Sequence, residues 1–124
     1  MGKKTVLVID DEAEFVDAVK MRLEANDYMV VEAYNGREGF EKARKQHPDL
    51  ILLDLVMPQV NGFEALSQLK SDPRTMNIPV IVLTAKTEAE YALDAGRLGA
   101  SDYMIKPASM EQLVSMVKRH VVSG

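Results

Sequence analysis

The chain contains no cysteine among its 124 residues, which excludes both a disulfide framework and a thiolate zinc site. It has no apolar run near the roughly 20 residues that cross a bilayer. The opening MGKKTVLVID sets only five consecutive apolar or near-apolar residues behind its two lysines, too few for a signal peptide. Gly2 has Val6 four residues on, where a myristoylation motif needs serine or threonine. An excess of positive charge is also missing: 15 Lys and Arg face 19 Asp and Glu, a net charge of -4, so the chain carries no field that would draw in nucleic acid or an anionic membrane. We expect a cytoplasmic protein with no direct nucleic-acid partner and no membrane association. No internal repeat, low-complexity segment or interdomain linker interrupts the chain, and residues 1–124 are expected to form a single domain. A domain of this size buries roughly two-thirds of the surface of its unfolded chain, and the 47% apolar and 27% charged content is that of an ordinary globular protein.

What is present is alternation. Short apolar runs bounded by turn residues give way to amphipathic stretches, the pattern of repeated βα units and a parallel sheet. The runs predict strands at Thr5 to Asp10, Met29 to Ala33, Leu50 to Asp54, Val80 to Thr84 and Asp102 to Ile105. They are apolar along their length, so helices should cover both faces. Five helices are expected on apolar residues at helical spacing: Val16, Val19 and Leu23; Phe40 and Ala43; Phe63, Leu66 and Leu69; Ala92, Ala95 and Leu98; and Met110, Leu113, Val117 and Val121. Thr87 with Glu90 and Ser109 with Gln112 match the capping box, and Asn35 with Glu38 and Asn61 with Glu64 are looser versions. Five such units are too few for a (β/α)8 barrel. The expected fold is α/β, a doubly wound five-stranded parallel sheet with five helices, flavodoxin-like if the strand order is 2-1-3-4-5. Ligands then bind at the carboxyl ends of the strands, where the winding reverses between strands one and three.

The polar residues at those ends are Asp10 and Asp11 after strand one, Asp54 at the end of strand three, Thr84 at the end of strand four and Lys106 after strand five. Taken singly, each acid reads more readily as a helix cap or turn former; their joint placement favours a site. Two unit charges 4 Å apart repel by roughly 4 kcal/mol at an effective dielectric near 20, so clustered acids need a cation. Mg2+ suits them because it takes oxygen ligands and leaves positions for phosphate oxygens. A carboxylate can form an aspartyl-phosphate, with a lysine ammonium and a threonine hydroxyl available to phosphoryl oxygens.

The segments VLVIDDE, DLILLDLVMPQVNGFE, IPVIVLTA and GASDYMIKP resemble, in order and over nearly the whole chain, the motifs of response-regulator receiver domains of two-component signalling. The resemblance implies that Asp54 accepts a phosphoryl group from a phosphohistidine on a histidine kinase or phosphotransfer protein. It implies that Asp11 binds Mg2+ directly, that Asp10 helps through water, and that the Val56 carbonyl completes the protein ligands beside Asp54. Thr84 and Lys106 would contact phosphoryl oxygens, Thr84 and Tyr103 would form the switch, and Lys106-Pro107 would be a cis peptide. Tyr103 by itself reads equally as an amphipathic side chain at a strand edge. The output face would be the surface around the fourth helix, fifth strand and fifth helix, docking a downstream protein or effector domain.

Val56 offers no side-chain polar group to orient water and Lys86 is long and cationic, so slow to moderate self-dephosphorylation is expected. His47 and His120 fall away from the strand ends, and Met104, Met110 and Met116 read as packing residues. Other functions fit less well. A phosphatase of the haloacid dehalogenase type wants a second acid where Val56 stands, and the turn DDEAEF is acidic and lacks the glycines of a nucleotide or flavin site. The expected role is a switch that catalyses only its own phosphorylation and dephosphorylation, either standing alone or as one domain of a longer regulator or hybrid kinase.

Overall fold

Each continuous apolar run becomes a strand because its side chains are buried on both sides of one sheet. The computed structural model describes residues 2–55, 62–85, 95–106 and 109–121. In it β1 (Thr5–Ile9), β2 (Met29–Ala33), β3 (Leu50–Asp54), β4 (Val80–Ala85) and β5 (Asp102–Lys106) lie parallel in the order β2-β1-β3-β4-β5. The doubly wound order expected from the sequence is the observed one. Every residue of β3 is buried, as the central position requires.

Alternate residues of the strands feed two cores. Leu7, Ile9, Ile51, Leu53, Val80 and Val82 pack with Ala43 of α2 (Gly36–Gln46) and Ala65, Leu66 and Leu69 of α3 (Gly62–Ser71). Val6, Val8, Leu50, Leu52, Ile81 and Leu83 pack with Val16, Val19 and Leu23 of α1 (Ala13–Ala25) and with Leu113, Val114 and Val117 of the C-terminal helix (Met110–His120). Met104 is buried in this second core, and Met110 and Met116 pack against it.

The helix starts follow the sequence signals where those are described. Asn35 accepts from the Glu38 amide at 2.8 Å while the Glu38 carboxylate accepts from the Tyr34 amide at 2.7 Å. Ser109 Oγ accepts from the Gln112 amide at 3.1 Å. The caps expected at Thr87 and Asn61 lie outside the described residues, as does most of the fourth helix, of which 95–97 is helical. Ala95 is buried as expected, but Leu98 is 39% exposed. The reason is a Schellman end: Gly99, at φ 103, and Ala100 donate to the Gly96 and Ala95 carbonyls at 3.1 and 3.0 Å, and this closes the helix before Leu98 reaches the apolar face.

Candidate functional site

The register of the two central strands sets the site. β1 and β3 pair from Val6–Leu50 to Ile9–Leu53, so the next residue on each is an acid, Asp10 and Asp54. In the strand alternation Asp10, Asp54 and Lys106 follow Val8, Leu52 and Met104, all members of the core under α1 and the C-terminal helix. Three charged side chains therefore emerge at one sheet edge on one face. Thr84 follows Val82 of the other core and is fully buried.

Asp10 is fully buried and Asp54 is 5% exposed. Lys106 Nζ lies 2.9 Å from Asp10 Oδ2 and 3.6 Å from Asp54 Oδ2. It lies closer still, at 2.6 Å, to Glu12 Oε1, and 4.3 Å from the centroid of the Phe15 ring. Burial alone would push the Lys106 ammonium toward deprotonation; the hydrogen bonds it donates to Glu12 and Asp10 and the charges of Asp10 and Asp54 outweigh it and hold the pKa above the ordinary lysine value. The lysine is cationic across the physiological range.

Oxygens of Asp10, Glu12 and Asp54 all fall within 4.8 Å of one another. Hard carboxylate donors at this spacing could hold a metal ion, and among the described residues their formal charge of -3 beside the Lys106 ammonium suits a divalent cation. The backbone also holds the site firmly. Gly62 donates to the Leu55 carbonyl at 3.0 Å, and a Cβ there would fall 2.4 Å from Leu55 Cα and 2.6 Å from the Asp54 carbonyl. Only glycine lets α3 begin against the end of β3, which fixes the backbone that carries Asp54.

Three residues singled out from the sequence thus meet at the strand ends, Asp10, Asp54 and Lys106, and Thr84 is buried near the end of β4. Asp11 is exposed in the turn before α1, outside the three acids that converge. Tyr103 is 47% exposed on β5. Val56, Lys86 and Pro107, with the expected cis peptide, lie outside the described residues. Glu12 and Phe15 were not anticipated. Glu12 directly follows the acid pair and Phe15 comes one helical turn later, but neither carries a sequence signal for a contact with Lys106, 94 residues away from Glu12. His120 stands apart from the site, with Nε2 at 2.9 Å from Asp102 Oδ2. Among the described residues, no helix is long and apolar enough to cross a membrane.

Residues 6–118 match the family described as response regulator receiver domain. The phosphate regulon transcriptional regulatory protein PhoB of Pseudomonas aeruginosa is 39% identical over 118 residues, covering 95% of this chain and 52% of PhoB. The chain thus spans about half of that relative. Protein PilH of the same organism is 38% identical over 112 residues, 90% of this chain and 93% of PilH. The structure of chemotaxis protein CheY4 of Vibrio cholerae superposes with a TM-score of 0.90 at 29% identity, covering 96% of this chain and 99% of CheY4. A likeness that extends from the first strand into the last helix is that of a whole shared domain, and the chain belongs to the response regulator receiver domains of two-component signalling.

Proposed function

We propose that Asp54 is the phosphoacceptor of this receiver domain. The observation that carries the proposal is the placement of a nearly buried carboxylate on the central strand, with Asp10 beside it and a lysine ammonium at 3.6 Å. One Asp54 carboxylate oxygen attacks the phosphorus of a phosphohistidine on a histidine kinase or phosphotransfer protein. A P–O bond forms, the P–N bond breaks, and the imidazole leaves with its electron pair and takes up a proton. Lys106, held cationic by its acidic neighbours, and the hydroxyl of Thr84 meet the charge on the phosphoryl oxygens.

Mg2+ bound at this site would neutralise the converging acids and charge on the transferred group. The converging carboxylates support Asp54 as a ligand with Asp10 helping through water; Asp11 and the Val56 carbonyl enter on the family resemblance. Movement of Thr84 toward the phosphoryl group draws the exposed Tyr103 inward, and the surface of β5 and the C-terminal helix, with the fourth helix, changes its affinity for a downstream protein or effector domain. The chain catalyses only its own phosphorylation and dephosphorylation. The same proposal takes residues 1–124 as one receiver domain acting in the cytoplasm.

The test uses Mg2+ and acetyl phosphate, whose C–O–P linkage gives up its phosphoryl group with acetate as leaving group, followed by mass measurement of the intact protein. The wild type should gain one phosphoryl group and Asp54→Asn none. No gain in the wild type, or catalytic turnover of a phosphoester, would sink the proposal.

A further inference from the structure

Glu12 occupies the N-cap position of α1, yet its side chain makes no cap hydrogen bond. Glutamate is not among the residues favoured there, and its carboxylate is instead spent on Lys106, at 2.6 Å the shortest of that lysine's three ion pairs among the described residues. The environments of the partners differ sharply. The Asp10 and Asp54 side chains are 0% and 7% exposed, whereas that of Glu12 is 62% exposed. The Glu12 amide donates to Asp10 Oδ1 at 2.9 Å, which ties the residue to the site by its backbone and leaves its carboxylate at the rim. The Phe15 ring, 4.3 Å from Nζ, gives the ammonium an aromatic face on the same α1 side.

Lys106 and a divalent cation compete for the same two buried carboxylates. A lysine with no alternative would have to be left in a buried site beside a like charge or be pulled out of it. From these contacts we infer that Glu12 is a positioning residue: it receives the Lys106 ammonium when a divalent cation occupies Asp10 and Asp54, so that metal and lysine are both accommodated. This rests on the reading that Asp10 and Asp54 hold Mg2+. It gives Glu12 a role in loading the site rather than in the chemistry at phosphorus.

The test is a double-mutant cycle on Mg2+ binding alone, read by titration calorimetry without any phosphodonor. Neighbouring groups that interact couple by about twofold or more in an equilibrium constant. Glu12→Gln should therefore raise the Mg2+ Kd by about threefold or more in the wild-type background and by under about twofold in Lys106→Met, where no ammonium needs a place. An equal loss in both backgrounds would show that Glu12 acts on the metal directly and would overturn the positioning role. No loss in either background overturns it as well. Failure of the wild type to bind Mg2+ defeats the underlying metal reading together with the inference, a result distinct from the other two. Should Lys106→Met fail to fold, crystals of the wild type grown with Mg2+ decide the matter. Nζ should stay within about 3.2 Å of Glu12 and withdraw from Asp10; Nζ still on Asp10 would overturn the inference.

Discussion

Lys106 is worth more to the site as a charge than as a packed side chain, because two of its partners are buried acids that water cannot neutralise. Breaking a buried ion pair by removing one partner costs about 3–5 kcal/mol, whereas an exposed pair contributes only about 0–1 kcal/mol. Glu12→Gln should accordingly change stability by under about 1 kcal/mol, as measured by urea unfolding, and a larger loss would mean that Glu12 supports the fold itself. Gly62 is the opposite case, with backbone atoms at 2.4 and 2.6 Å from the position of an added Cβ. Gly62→Ala should cost about 1–3 kcal/mol in the same measurement, and a neutral result would show that α3 can shift away from β3 without penalty. Far from the site, the Arg74 guanidinium and amide bond Asp72 and hold its carboxyl down from 3.8 to about 2. A depressed folded-state pKa means that the unfolded chain takes up the proton first as pH falls. The contribution is present above about 3.8 and is lost as pH drops toward about 2. The melting temperature of Asp72→Asn should fall less steeply than that of the wild type across this acidic window; parallel curves would rule the pair out as a source of acid sensitivity.

At the scale of elements, the helix termini decide which surfaces the helices present. The C-terminal helix begins at the Ser109 cap and ends with His120 against Asp102 of β5, so both ends are tied and its apolar stripe of Leu113, Val114 and Val117 is held on the sheet. Ser109→Ala removes the acceptor of the Gln112 amide and should cost about 1 kcal/mol, read by thermal unfolding; no change would mean that solvent replaces the cap at no cost. The helix ending at Gly99 shows the converse. Its Schellman closure turns Leu98 into solvent, next to the stretch on which the proposed output surface depends.

Across the whole molecule, two apolar cores lie on opposite faces of the sheet and the acidic site lies at its carboxyl edge, so stability and charge chemistry are separated in space. Leu52, 1% exposed in the core beneath α1 and the C-terminal helix, should cost about 2–5 kcal/mol when changed to Ala, with or without Mg2+. The separation lets the edge gather three carboxylates without interrupting either core. The central strands should exchange their amide hydrogens most slowly, since β1 and β3 are each paired on both sides.

The sequence by itself determined the strands, the two-faced burial and the polar residues at the strand ends. These follow from side-chain polarity and spacing along a few consecutive residues, as the run from Leu50 to Asp54 illustrates. The order of the strands was legible as well, through the family motifs. What only the tertiary structure decided are the contacts that close over long stretches of chain. Lys106 meets Asp10 across 96 residues and Glu12 across 94, and Phe15 faces the same ammonium. Nothing local distinguishes Glu12 from the exposed Asp11 beside it. The turn into α1 brings the Glu12 carboxylate to the Lys106 ammonium, and that contact exists only once β5 has been laid against β4 and the C-terminal helix has returned to pack beside α1.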